Sequence, residues 1–297
     1  MFLSGLVSRG GPPRPSLAEP GRGVIRCPVR AGARRYRPGR PAVESGHVKT
    51  LGVDLAAAAK KTAVAVIEWS RGSARLVHLG LDVQDEEIVS LFGASDMTGV
   101  DCPVGWPDAL IPFLAGHLAF DAGPVLEYDG IEGRRLLAYR DTDRFVTGRT
   151  RLIPLSVSAD RLAHPAMRCA VIQAKIAALH GPQLRDGSGR LAEVYPAASL
   201  KLWGLNARGY KGRGSSEAER RAALLGTLRE QAPWLDLEGY GDQLAASDDM
   251  FDAVIASLTA RAVALGLTER PGEAHVEAAR TEGWIHLPSC GLDGLVT

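Results

Sequence analysis

The chain has 297 residues, 45% of them apolar and 23% charged, with a net charge of +1; this composition suits a globular protein with a sizeable core. No apolar run approaches the roughly 20 residues of a membrane span, and the N-terminus lacks the apolar stretch and small-residue cleavage site of a signal peptide. The four cysteines, Cys27, Cys102, Cys169 and Cys290, form no CxxC pair. That spacing argues against a cysteine zinc site and suits a reducing, cytoplasmic setting.

Residues 1–47 carry nine Arg and two Glu, a net +7, so the remaining residues carry −6 against the chain's +1. This stretch is rich in Pro and Gly and has no apolar periodicity, so a disordered arm is expected. An Arg-rich arm can bind phosphates. A solvated tail, or translated sequence upstream of the true start, fits better, because periodic structure begins only at Val48.

Residues 48–297 read as one α/β domain. VKTLGVDLA (Val48 to Ala56) is an apolar strand that delivers Asp54 near its end. Side chains alternate along a strand, so Leu51, Val53 and Leu55 share one face and Thr50, Gly52 and Asp54 the other. Thr62–Trp69 and Ser73–Val83 follow through short turns and predict an antiparallel meander. Asp85–Phe92 is a short helix with acids in its first turn. Met97–Cys102 is a fourth strand, able to run parallel to the first after a helical crossover, and it ends in Asp101.

An inserted region, about 103–190, is expected next. It contains a helix over Asp108–Phe120, a hairpin of Val125–Asp129 with Arg134–Tyr139, and a long helix over Ala159–His180. The last has Leu162, Met167, Val171, Ala174 and Ala178 near helical spacing. Leu191–Pro196 is a fifth strand. Ser216–Ala232 is a helix in which Ser216 and Glu219 make a capping-box pattern. Asp249–Leu265 is a helix with the stripe Phe251, Val254, Ile255, Leu258 and Ala262. Phe251, Val254, Ile255 and Leu258 are expected to bury against the sheet that carries Leu51, Val53, Val64 and Val66. Trp284–Leu287 is a late edge strand.

Four aspartates stand out as candidate catalytic and metal-ligating residues. Asp54 and Asp101 end two core strands, while Asp249 and Asp252, three apart, share one helical face. Carboxylates gathered together repel unless cations sit between them, and hard oxygen ligands favour Mg²⁺ or Mn²⁺. Two such ions can hold the attacking water and the leaving oxygen of a phosphodiester. The same residues also have structural readings. Asp249 suits a helix N-terminus, and Asp54 and Asp101 suit turns. Glu193 is a fifth acid, able to join the cluster or to pair with an arginine. Arg140, Arg144, Lys201 and Lys211 are candidates for gripping phosphate, although Asp141 and Asp143 offer the arginines internal ion pairs. No HExxH, Walker loop or GxSxG is present.

The segments GVDLA (Gly52 to Ala56), TGVDCPVGWP (Thr98 to Pro107), YRDTDRFV (Tyr139 to Val146), EVYPAASLKLWGL (Glu193 to Leu205), YKG (Tyr210 to Gly212) and DDMFDAVIASLTA (Asp248 to Ala260) resemble the domain of unknown function 429 family. That family is described as predicted ribonuclease H-like nucleases. The resemblance implies a ribonuclease H-like mixed five-stranded sheet flanked by helices, with the insertion between the fourth and fifth core strands. Holliday-junction resolvases of the wider superfamily are similar in the placing of Asp54, Asp101, Asp249 and Asp252. The chain departs from them in carrying Asp101 where Glu is common. The expected function is a divalent-metal-dependent nuclease acting on DNA or RNA, with no membrane partner. An actin-like nucleotide-binding phosphotransferase is the alternative, although DLAAAAKKT lacks its glycine-rich phosphate turn. A non-catalytic nucleic-acid or protein-binding module on the same fold is the third reading.

Overall fold

The computed structural model of the chain describes residues 48–296; the expected N-terminal arm lies outside them. Strands β1 (Val48–Asp54), β2 (Ala63–Ser70) and β3 (Ser73–Leu81) are followed by helix α1 (Asp85–Gly93) and strand β4 (Met97–Asp101). Five helices then run in succession: α2 (Leu110–Ala119), α3 (Ala122–Leu126), α4 (Gly130–Ala138), α5 (Asp141–Thr150) and α6 (Ala163–His180). Strand β5 (Leu191–Val194) leads to α7 (Pro196–Leu202) and α8 (Ser215–Gln231). Strand β6 (Leu235–Asp236), α9 (Gly241–Ala246), α10 (Asp248–Leu265), α11 (Val276–Glu282) and β7 (Ile285–His286) complete the order. No described helix is long and apolar enough to cross a membrane.

The sheet has seven strands in the order β6-β3-β2-β1-β4-β5-β7, where a five-stranded core was expected. The late edge strand expected over Trp284–Leu287 is present as β7; the unexpected strand is β6, in the segment Leu235–Asp236, too short to carry a period-2 signal. The meander is as expected: β1 and β2, and β2 and β3, pair antiparallel, while β4 runs parallel to β1. The hairpin expected at Val125–Tyr139 is helical instead. Asp129 caps α4 by accepting from the Gly130 N–H at 2.7 Å, so the Asp-Gly pair starts a helix rather than turning a hairpin. Helix α8 begins at Ser215 after Gly214, with no side-chain cap; Ser216 lies inside its first turn, and the capping box does not form.

Alternation on the strands sorts the core into two layers. Leu51, Val53, Val64 and Val66 pack with Ile88, Val89 and Phe92 of α1 and with Cys169, Ile172 and Ile176 of α6. Met167 and Val171 face solvent instead, since α6 carries two apolar stripes and the isoleucine one docks. The other face receives α10, whose Phe251, Val254, Ile255 and Leu258 pack with Ala63, Ala65, Ile67 and Trp69. The stripe is buried against the sheet, as expected. The glycines set the face: Gly52 and Gly99 stand side by side in the β1–β4 register. A Cβ at Gly52 would lie 1.9 Å from the Ala253 carbonyl oxygen, and one at Gly99 2.6 Å from that of Ala256. The helix backbone therefore rests on the sheet where two side chains are missing. Ser257 fastens it, donating from Oγ to the Thr50 carbonyl at 2.9 Å. Every residue of α10 from Phe251 to Ala262 is buried, as its small and apolar composition all round allows.

Candidate functional site

The seat of α10 decides where the acids meet. Asp54 shares its strand face with Gly52, and Asp101 shares its own with Gly99, so both carboxylates emerge on the α10 side. They are direct register partners at the ends of two parallel strands, which places their backbones about 5 Å apart. Asp252 lies one residue before Ala253, the residue that rests over Gly52, and it is buried at 1% exposure. Ser247 caps α10 by accepting from the Met250 N–H at 3.2 Å. Asp249, in the first turn, stays half-buried at the margin of the group.

The loop between α7 and α8 supplies two further groups. Tyr210 donates from its hydroxyl to Asp252 Oδ1 at 2.6 Å, and Lys211 Nζ lies 2.6 Å from Asp252 Oδ2. Asp252 thus has a protein partner on each oxygen. Asp54 and Asp101 accept no hydrogen bond and form no ion pair with any described side chain. Burial raises the pKa of Asp54 well above the carboxylate range, and the charges of Asp252 and Asp101 push it further. Burial likewise brings Asp101 up to about 7, against the opposing pull of Lys211. The pKa of Asp252 is raised by burial, although Lys211 and Tyr210 hold it back; that of Asp249 is raised by burial and by Asp248. Burial works against the Lys211 ammonium, yet Asp252, Asp101 and Asp54 together keep it charged.

Glu193 is placed elsewhere. It pairs in register with Val100, so it lies on the sheet face opposite Asp54 and Asp101. There it meets Arg140, with Nη1–Oε2 at 2.8 Å and Nη2–Oε1 at 2.7 Å, and accepts from the Val104 N–H at 3.1 Å. Arg140 is 1% exposed. Its remaining donors go to both oxygens of Asp143 and to the Glu282 carbonyl, so all five are in use. Burial opposes its charge, and Glu193 and Asp143 restore it. Arg140 therefore joins β5 to α5 and has no donor left for a phosphate in this arrangement. Arg144 is exposed; it pairs with Asp141 and donates to the Tyr139 carbonyl at 2.6 Å. Lys201 is exposed on α7. A cavity of about 200 Å³ is lined by Asp101, Tyr195 and Lys211 together with Arg140, Glu193 and Leu155.

Two contributors escaped the sequence reading. Tyr210 is a lone tyrosine in a glycine-rich loop and gives no signal of its own. Arg221 does: it stands at i−3, i−4 and i−7 from Leu224, Leu225 and Leu228, the buried stripe of α8. It is 1% exposed and has no carboxylate at ion-pair distance among the described residues. Its guanidinium donates to the carbonyls of Tyr210 at 2.6 Å, Gly212 at 2.7 Å, Ala245 at 2.9 Å and Ala246 at 3.0 Å. It clamps the backbone on both sides of Lys211 to the end of α9.

A sequence profile described as a protein of unknown function, DUF429, matches residues 52–276. The chain belongs to the DUF429 family. The matched span runs from Gly52 beyond α10, so Asp54, Asp101, Lys211 and Asp252 all lie within the DUF429 region. No curated protein and no solved structure matches the chain.

The donor set suits a divalent ion by the chemistry of its oxygens alone. Three carboxylates face one ammonium, and two of the three carboxylates, Asp54 and Asp101, have no partner. Hard oxygen ligands of this kind suit Mg²⁺ or Mn²⁺. As the side chains stand, no group of three Asp, Glu, His or Cys among the described residues encloses an ion position. The cation next to the carboxylates is Lys211.

Proposed function

We propose that this DUF429 protein is a divalent-metal-dependent hydrolase of phosphodiester bonds in nucleic acid, built on a ribonuclease H-like fold. The observation that carries this reading is the pair of unpartnered carboxylates, Asp54 and Asp101, side by side at the ends of parallel strands with Asp252 beside them. The strand order β3-β2-β1-β4-β5 within the larger sheet, with one antiparallel strand among these five, supports the fold assignment. Acids partly withdrawn from water without partners are costly, and a cluster of them at one end of a sheet is a functional-site signal.

In this reading Asp54 and Asp101 hold the ion or ions, with Asp252 adjoining and Asp249 at the rim. A bound divalent ion supplies charge neutralisation at the attacking water and the leaving oxygen. Water then adds its oxygen to phosphorus, the bond to the leaving oxygen breaks, and that oxygen takes up a proton. No Ser or Cys nucleophile is required. Lys211, half exposed, is the basic group at the cluster for a phosphate, and Lys201 is exposed for backbone phosphates, while Arg144 is paired with Asp141. The test is a panel of single- and double-stranded DNA and RNA incubated with Mg²⁺ or Mn²⁺. An Asp54→Asn protein prepared in parallel serves as the control for contaminating nucleases. Cleavage by the parent alone supports the proposal; equal cleavage by both, or none by the parent on any substrate, contradicts it.

A further inference from the structure

We infer that Lys211 is the resident cation of the aspartate cluster, and that a divalent ion can load only when the Lys211 ammonium leaves Asp252. This inference rests on the proposed ion site and adds a condition for its filling.

The placing of Lys211 is built. Its backbone is held from both flanks by Arg221, through the Tyr210 and Gly212 carbonyls. The Gly212 N–H donates to Asp248 Oδ2 at 3.0 Å, and the Tyr210 hydroxyl is fixed on Asp252. Gly212 has φ +124, a conformation open to glycine and strained for other residues. These bonds hold the loop backbone and leave the Lys211 side chain free to turn about its own torsions. It reaches into the cluster, lies over the Tyr210 ring with Nζ 5.8 Å from the centroid, and is 50% exposed. An ammonium on a flexible four-carbon stem with an open side toward solvent can swing out while the loop stays clamped.

Charge favours the swing. An ammonium at 2.6 Å from Asp252 and a divalent ion on the adjoining carboxylates of Asp54 and Asp101 are like charges close together, and they repel. Withdrawal of the ammonium removes that repulsion. The displaced ammonium stays tethered at the mouth of the site, where an incoming phosphate oxygen is its natural partner. Lys211 would thereby hold the ion-free protein together, weaken ion binding on its own, and favour ion loading when a phosphate is present.

The experiment titrates Mn²⁺ into the parent, Lys211→Met and Lys211→Arg by calorimetry, and melts each protein without ion. Lys211→Met should bind Mn²⁺ at least about tenfold more tightly than the parent and melt lower without ion. Lys211→Arg, which keeps the charge, should resemble the parent on both counts. A Lys211→Met protein that binds Mn²⁺ no more tightly than the parent overturns the inference while leaving the ion site intact. Absence of Mn²⁺ binding in all three overturns the ion site itself, and the inference with it. A measurement on the parent alone is independent of how the variants fold: amine acylation at Lys211, read by peptide mass spectrometry, should increase when Mn²⁺ is added. An unchanged or lowered acylation contradicts displacement.

Discussion

The positions of all three core aspartates depend on how closely α10 approaches the sheet, and Gly52→Ala probes that approach directly. A Cβ at Gly52 would stand 1.9 Å from the Ala253 carbonyl oxygen and 2.3 Å from the Ser257 nitrogen. Both neighbours are helix backbone, so no side-chain rotation relieves the clash. Reaching even 3.0 Å requires α10 to retreat by more than 1 Å. A gap of that size forfeits roughly a quarter to a half of the dispersion energy of each contact it opens. It also stretches the Ser257–Thr50 hydrogen bonds. Overpacking of a core usually costs about 1–3 kcal/mol; a backbone clash at the centre of the sheet belongs at the upper end, roughly 3 kcal/mol. For a domain of this size that is a fall of roughly 6–12 °C in melting temperature. Gly72→Ala is the control: Gly72 has φ +75 at the β2–β3 turn and nothing within 4 Å of its added Cβ, so backbone strain of about 1–2 kcal/mol is its whole cost. Thermal denaturation followed by circular dichroism compares the two. A Gly52→Ala protein that melts no lower than Gly72→Ala would refute the seating of α10 on the two glycines, and with it the placing of Asp252.

Three other outcomes follow from buried charge. Arg140→Met leaves Asp143 and Glu193 buried without their cation and should cost roughly 3–5 kcal/mol, measured by urea denaturation; a loss under 1 kcal/mol would show that Arg140 does not bridge β5 and α5. His286 is held neutral, its pKa lowered by burial from 6.5 to about 4; Thr268 Oγ1 lies 2.9 Å from Nδ1, and the Asp186 carbonyl lies 3.1 Å from Nε2. A lowered histidine pKa means that its contribution is complete above pH 6.5 and is lost as pH falls toward 4, up to roughly 3 kcal/mol. His286→Gln, which cannot charge, should lack that part of the pH dependence; an unchanged slope would place the titration elsewhere. Asp101 has the opposite sign: its carboxyl is raised to about 7 from 3.8, so the ion-free protein loses stability as pH climbs through that window. Asp101→Asn should therefore gain on the parent between pH 4 and 7, and a constant difference in melting temperature across that range would contradict the raised pKa of Asp101.

Much of the sheet was legible in the sequence because local signals and tertiary demands agree there. The β1–β3 meander needs only short turns and period-2 apolar runs, and β4 follows a short helix that permits a parallel return. Asp54 and Asp101 were legible for the same reason, as acids that end apolar strands. The packing of α10 on the sheet was legible from its apolar stripe, but the receiving face was not, because β2 is apolar on both faces. The deciding residues, Gly52 and Gly99, have no side chain and act by permitting close approach. Their partnership exists only in the β1–β4 register. Arg140 looked like a phosphate ligand because its partners, Glu193 and Glu282, are 53 and 142 residues away in sequence. The α4 helix was hidden by an Asp-Gly turn signal that serves as a cap, and β6 by its length of two residues. Tyr210 and Arg221 act through a loop whose conformation depends on α8, α9 and α10 together.

The central claim is that Asp54 and Asp101, with Asp252, hold a divalent ion that serves phosphodiester hydrolysis. The most direct measurement is the rate of nucleic-acid cleavage in Mg²⁺ or Mn²⁺ by the parent and by Asp54→Asn, purified side by side and each checked for folding by its melting temperature. The expected result is ion-dependent cleavage by the parent, lost in Asp54→Asn, whose ion-free melting temperature is equal to or higher than the parent's because one of the repelling carboxylates has gone. Cleavage by Asp54→Asn at the parent's rate, with both proteins folded, would contradict the claim and move any chemistry to another site.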